Sequence, residues 1–91
     1  MITKEQARAR AEKYLSDKEI TYVSIDKADQ INFMRGREIV YGPKKGIIAD
    51  LYIVGFEQKW GLETRLLGIY LDANSGEILF LITPHSFIDA R

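Results

Sequence analysis

The sequence predicts a two-layer α+β domain, with one N-terminal helix packed on a four- to five-stranded antiparallel meander sheet. Three observations predict it. A single stretch of helical periodicity opens the chain. Everything after it falls into short, β-rich apolar segments. The turn-forming clusters "GPKKG", "KWG" and "NSG" separate those segments at hairpin spacing. With 91 residues there is room for one domain, residues 1–91, and not for two.

The helix is read from "TKEQARARAEKYL". Thr3 can cap its start, and Gln6, three residues on, completes a capping box. Ala7, Ala11, Tyr14 and Leu15 recur at the spacing of one helical face. Two of the four are alanine, so this face can lie close against a flat partner, which predicts a sheet. "SDKE" breaks the pattern. "ITYVSI" then alternates as a strand, "INFM" is ambiguous, and "REIVYG" reads as a strand that stops at Gly42-Pro43. "ADLYIVGFEQ" is the most β-rich segment, placing Tyr52, Val54 and Phe56 on one face and Leu51 and Ile53 on the other. "LETRLLGIYL" and "EILFLIT" follow. Gly55 and Gly68 lie inside strand patterns and mark either bulges or a close helix crossing. "ILFLI" is apolar on both faces, so the sheet face away from the helix is expected to be covered, by the C-terminal tail or by a second copy of the chain.

Composition narrows the function. Cysteine is absent, which excludes a disulfide framework, a thiolate zinc cluster and a thiol nucleophile. The first residues carry charges throughout and lack the apolar core of a signal peptide, and no run approaches the length needed to span a membrane. These features predict a cytoplasmic protein. Thirteen basic residues balance thirteen acidic ones, whereas general nucleic-acid binders lean basic. The charge is unevenly spread: Arg35, Arg37, Lys44 and Lys45 are accompanied by the single acid Glu38, and the chain from Ile47 onward is acidic.

No motif carries chemistry. "LDANSGEIL" begins like a calcium loop, but its glycine falls at the fifth position rather than the sixth, and Thr83 stands where the bidentate glutamate belongs. Asp72 and Asn74 initiate a turn instead, and Gly76 supplies its positive φ. "GPKKG" is followed by a strand pattern rather than the helix of a phosphate loop. His85, with Ser86 beside it and Asp89 near, lacks the shaped oxyanion site of a triad and sits in a tail expected to be mobile. No catalytic, cofactor or metal residue is therefore assigned. Trp60, at a predicted hairpin end, is either folded back over the core edge or presented to a partner.

Two stretches carry a resemblance. "ITKEQARARAEKYL" is similar to the opening helix of many small bacterial domains. "GIYLDANSGEILFL" resembles the closing hairpin of PepSY-type domains: an apolar strand, Asp, a small residue, Ser/Thr-Gly-Glu and another apolar strand. Together they span a little under a third of the chain. The helix-opening, hairpin-closing layout also resembles small immunity proteins of bacterial toxin systems. That likeness implies a non-enzymatic protein-binding domain that neutralises a cognate toxin. The PepSY likeness implies a regulator of a peptidase or envelope protein, and a third reading is a small ligand-binding domain or enzyme using a concave sheet face. The expected partner is a protein, with neither nucleic acid nor membrane involved, and a homodimer through the free sheet face is an open alternative. Arg35, Arg37, Lys44, Lys45, Glu57, Trp60 and Arg65 are the candidate contact residues.

Overall fold

The computed structural model describes residues 1–90. Helix α1 spans Lys4–Asp17 and packs on one face of an antiparallel sheet of six strands: β1 Ser24–Ile25, β2 Asn32–Glu38, β3 Ile48–Trp60, β4 Glu63–Asp72, β5 Ile78–Ile82 and β6 Phe87–Asp89. The two-layer α+β prediction holds. The sheet runs β1-β3-β4-β5-β6, and β2 also pairs with β3. Short β1 and β2 thus lie end to end along one edge of the long β3, and six strands make a sheet only five positions wide.

The helix begins as its sequence dictates. Thr3 Oγ1 accepts from the Gln6 amide at 3.1 Å, and Gln6 Oε1 accepts from the Thr3 amide at 2.8 Å, so each satisfies a donor the helix would otherwise orphan. Its end has a less usual residue. Ile20 N donates to Leu15 O and Glu19 N to Ser16 O, the paired bonds of a Schellman stop. Glu19 occupies the left-handed position of that stop, with φ 57°. A Cβ in this conformation costs about 1 kcal/mol, which a glycine avoids. Glu19→Gly is therefore expected to raise stability by roughly 0.5–1 kcal/mol in a urea melt, and a lowered midpoint would show that Glu19 earns its place by an interaction outside the stop.

Ala7, Ala11 and Leu15 are buried and Tyr14 half-buried, packed with Tyr52, Val54 and Phe56 of β3, Leu67, Ile69 and Leu71 of β4, and Leu81 of β5. This is the alternating face expected for β3. Tyr52 is buried with its hydroxyl satisfied, donating to Ile2 O at 2.9 Å.

The chain between helix and sheet departs from the sequence reading. Only Ser24–Ile25 of "ITYVSI" is strand. Ile20 packs against the helix-side core and Tyr22 meets Phe56 edge-on at 6.4 Å, while the Val23 amide donates to Glu57 O at 2.8 Å along the edge of β3. "INFM" is the firmer strand, and "REIVYG" contributes only Arg37 and Glu38 to β2. A register shift between Met34 and Arg37 bends β2 away, with Gly36 N held by Asp50 Oδ1 at 2.9 Å.

That bend explains what covers the second sheet face. Residues 39–47 fold back over it, closed by reciprocal bonds of Ile39 with Ile47 and Gly46. Ile39 is buried there with Leu51, Leu79 and Phe80, and Tyr41 packs against them. The tail contributes to this cover from the sheet edge. It forms edge strand β6 after a turn in which Thr83 Oγ1 accepts from the amides of His85 and Ser86. From that edge Phe87 stacks on Tyr41, ring centroids 5.5 Å apart. The cover reaches one end of the face only; around Ile53, Gly55, Leu66 and Gly68 it stays open.

Gly55 and Gly68 mark neither bulge nor helix crossing. They sit directly opposite each other in the unbroken β3–β4 register, on the face away from α1. The "LDANSGEIL" segment is a turn: Asp72 Oδ1 accepts from the amides of Asn74 and Ser75 at 2.7 and 3.1 Å, and Gly76 has φ 79°. Its aspartate is engaged with backbone amides.

Candidate functional site

β3 and β4 pair without interruption from Leu51↔Asp72 to Trp60↔Glu63. Their neighbours stop early. β1 reaches only Glu57, and β5 leaves β4 at Gly68. The last three rungs, Gln58↔Arg65, Lys59↔Thr64 and Trp60↔Glu63, thus extend beyond the flanking strands as a two-stranded ribbon. Its turn is Gly61-Leu62 and not "KWG", since Lys59 and Trp60 are still strand; Gly61, with φ 64°, opens the tight two-residue hairpin.

An isolated two-stranded ribbon is marginal in water, so the tip needs bracing. Side chains on its helix-side face supply it. Trp60 Nε1 donates to Gln58 Oε1 at 2.8 Å, and Gln58 Nε2 donates to Thr21 O at 2.9 Å. The Arg65 guanidinium lies 5.2 Å from the Trp60 ring centroid, within cation–π range, and pairs with Glu63 at 2.6 Å. His85 approaches the same guanidinium at 3.4 Å, so the turn before β6 leans on the ribbon.

Apolar surface remains exposed on this braced tip. Leu62 is 103% exposed and Trp60 42%, and Trp60 belongs to neither core cluster; Leu66, 67% exposed, lies one rung below the ribbon on the opposite face. Single exposed apolar residues are ordinary, but two large ones together at the end of one projecting ribbon form the kind of feature that marks an interaction site.

The seven sequence-predicted contact residues divide into two groups. Glu57, Trp60 and Arg65 belong to the projecting end of the β3–β4 hairpin. Trp60 and Arg65 share the helix-side face, whereas Glu57 lies on the other, opposite Leu66, with Ser24 Oγ donating to its carboxylate at 2.9 Å. Arg35, Arg37, Lys44 and Lys45 lie at the far end. Arg37 is opposite Ala49, eleven residues from Trp60 along β3, or roughly 35 Å at strand rise. Arg35 and Arg37 are exposed around the β2 bulge, and Lys45 is exposed in the 42–46 turn. Lys44 is paired with Glu77 at 2.8 Å, and this hydrogen bond, followed by the attraction of its charge, raises the lysine above its usual pKa. The two groups cannot serve one small contact.

Leu62 and Leu66 were not singled out from the sequence. Both sit where an apolar residue in a strand pattern reads as core. The signal was the two-residue turn, which puts Leu62 at the apex. Among the described residues no group of three or more His, Asp or Glu stands together to hold a metal ion, and no helix is long and apolar enough to cross a membrane. No protein-family model, curated protein or solved structure matches the chain.

Proposed function

We propose that this chain is a protein-binding domain that presents the β3–β4 ribbon to its partner, and that the partner is a bacterial toxin which it neutralises in the cytoplasm by occlusion. The observation that carries the binding reading is the braced tip with Trp60 and Leu62 exposed. Trp60 is the natural anchor: a large aromatic surface already held in place by Gln58 and Arg65, so little freedom is lost on docking. Occlusion requires complementarity over about 800 Å² per partner and no reacting group. The toxin-neutralising form of the reading draws its support from the immunity-protein resemblance.

The test pairs stability with binding. Leu62→Asp is expected to leave the melt within about 0.5 kcal/mol of wild type, because the side chain meets only solvent. Trp60→Ala should cost about 1 kcal/mol of stability through the lost cation–π contact, yet about 2 kcal/mol or more of affinity. The binding assay uses the product of the neighbouring gene, co-expressed and purified. If both variants bind it with wild-type affinity, the ribbon is not the contact surface. If that product is harmless alone, or stays toxic beside the wild-type chain, the toxin-neutralising role fails.

A further inference from the structure

The open part of the second sheet face holds a trough of about 310 Å³, with Gly55 and Gly68 in its lining. The two facing glycines shape it. At Gly68 a Cβ would stand 3.0 Å from Ile82 Cγ2 and 3.4 Å from Ile53 Cγ2, so the bare glycine lets both isoleucines lie low over the sheet. At Gly55 a Cβ would stand 2.8 Å from Asp26 Oδ2. The Asp26 carboxylate occupies that space and accepts the Gly55 amide at 2.8 Å, while the Asp26 amide donates to Gly55 O at 2.8 Å. A half-buried carboxylate is thereby fixed at one side of a mainly apolar trough, facing walls from Ile53, Leu66 and Ile82, with Asn32 and Thr83 as its other polar lining.

Among the described residues, Asp26 is the only charged one lining this trough. Lys27 and Glu57, of opposite charge, line the adjoining cleft, which shares Asp26, Gly55 and Leu66 with the trough. A carboxylate offers about four acceptor positions, and one amide leaves most of them open. The complementary occupant has an aliphatic stem for the isoleucine and leucine walls and a cationic, hydrogen-bonding head for Asp26.

We propose that this trough is a socket for an arginine side chain of a protein partner. The stem lies against Ile53, Leu66 and Ile82, and the guanidinium docks on Asp26. Arginine suits it better than lysine because its planar head is more weakly hydrated and its donors match a carboxylate in fixed geometry. The socket rests on the reading of the chain as a protein-binding domain and adds a second contact on the face opposite Trp60.

The experiment needs no partner. N-acetyl-argininamide is titrated into the intact chain while backbone amide resonances are followed by NMR, with neutral N-acetyl-citrullinamide as the control. Saturable shifts of Gly55 and Gly68 with the arginine probe are expected, about tenfold weaker with citrulline. Asp26→Asn keeps an acceptor for the Gly55 amide, so its remaining spectrum should overlay on wild type while arginine binding falls about tenfold. No saturable shift, equal shifts with both probes, or an Asp26→Asn chain that binds as well as wild type would overturn the socket. Shifts that follow protein concentration instead of probe would overturn it in favour of a second copy of the chain. Failure here leaves the ribbon reading standing, since Leu62→Asp and Trp60→Ala test that against the partner protein.

Discussion

Ala11→Arg is expected to abolish the cooperative native state at room temperature or bring it to the edge of unfolding. Ala11 is 0% exposed in the middle of the α1 face that packs on the sheet. An arginine there adds several heavy atoms to a close helix–sheet contact, at about 1–3 kcal/mol for overpacking alone. It also brings a cation into a cluster whose named members are all hydrophobic, a penalty of several kcal/mol more unless the helix lifts. A chain of this length has about 5–14 kcal/mol of total stability, so the substitution takes much or all of it. Ala9→Arg is the control. Ala9 is exposed on the same helix, and arginine is a good helix former, so that variant should melt within about 0.5 kcal/mol of wild type. Superimposable thermal melts of the two variants would mean that α1 does not pack on the sheet through Ala11.

Prediction and control both rest on the part of the fold most legible in the sequence. The capping box and the alanine-rich stripe are local, and they fix where α1 starts and which side it buries. The alternation in β3 is equally local, but its hairpin register is not: "KWG" reads as the turn, whereas Lys59 and Trp60 remain in the strand and the turn falls at Gly61-Leu62, which sets Trp60 beside Glu63 and Gln58 beside Arg65. What lay beyond reach depends on contacts between distant residues. "REIVYG" has strand composition throughout, yet Ile39 is drawn out of line because a site over Leu51, Leu79 and Phe80 buries it better. Nothing within six residues of Ile39 announces that site. The pairing of β1 and β2 with the same edge of β3 is equally invisible locally, since it depends on β3 being long enough to serve both. The Asp26 trough needs two glycines and an aspartate that lie far apart in sequence and meet only through register. The strand in the tail is hidden for a different reason. Thr83 and Ser86 make a turn signal, but three residues of strand after it give too little alternation to recognise.

Phe80→Ala should be the second most damaging of these substitutions, and it tests the self-made cover of the second face. Phe80 is 1% exposed at the centre of an aromatic cluster. Its ring stacks on Tyr70 at 4.5 Å and meets Tyr41 and Phe87 edge-on at 6.2 and 5.6 Å. These partners come from β4, the 39–47 segment and β6, so one ring joins three separate parts of the chain. Truncation leaves a cavity that Met34, packed against the same cluster, can fill only in part, for an expected loss of about 3–5 kcal/mol. Phe80→Leu retains much of the volume and should lose about 1.5 kcal/mol or less. The loss should also have a place. With its anchor gone, the 39–47 segment is expected to open locally, so trypsin should cut at Lys45 under native conditions faster than global unfolding allows. Trp60, the single tryptophan, stands outside this cluster at the projecting ribbon. Its native-state fluorescence should match wild type before the main transition. A Phe80→Ala chain within about 1 kcal/mol of wild type in urea, with no gain in cleavage at Lys45, would mean that the aromatic cluster is not what holds the second face closed.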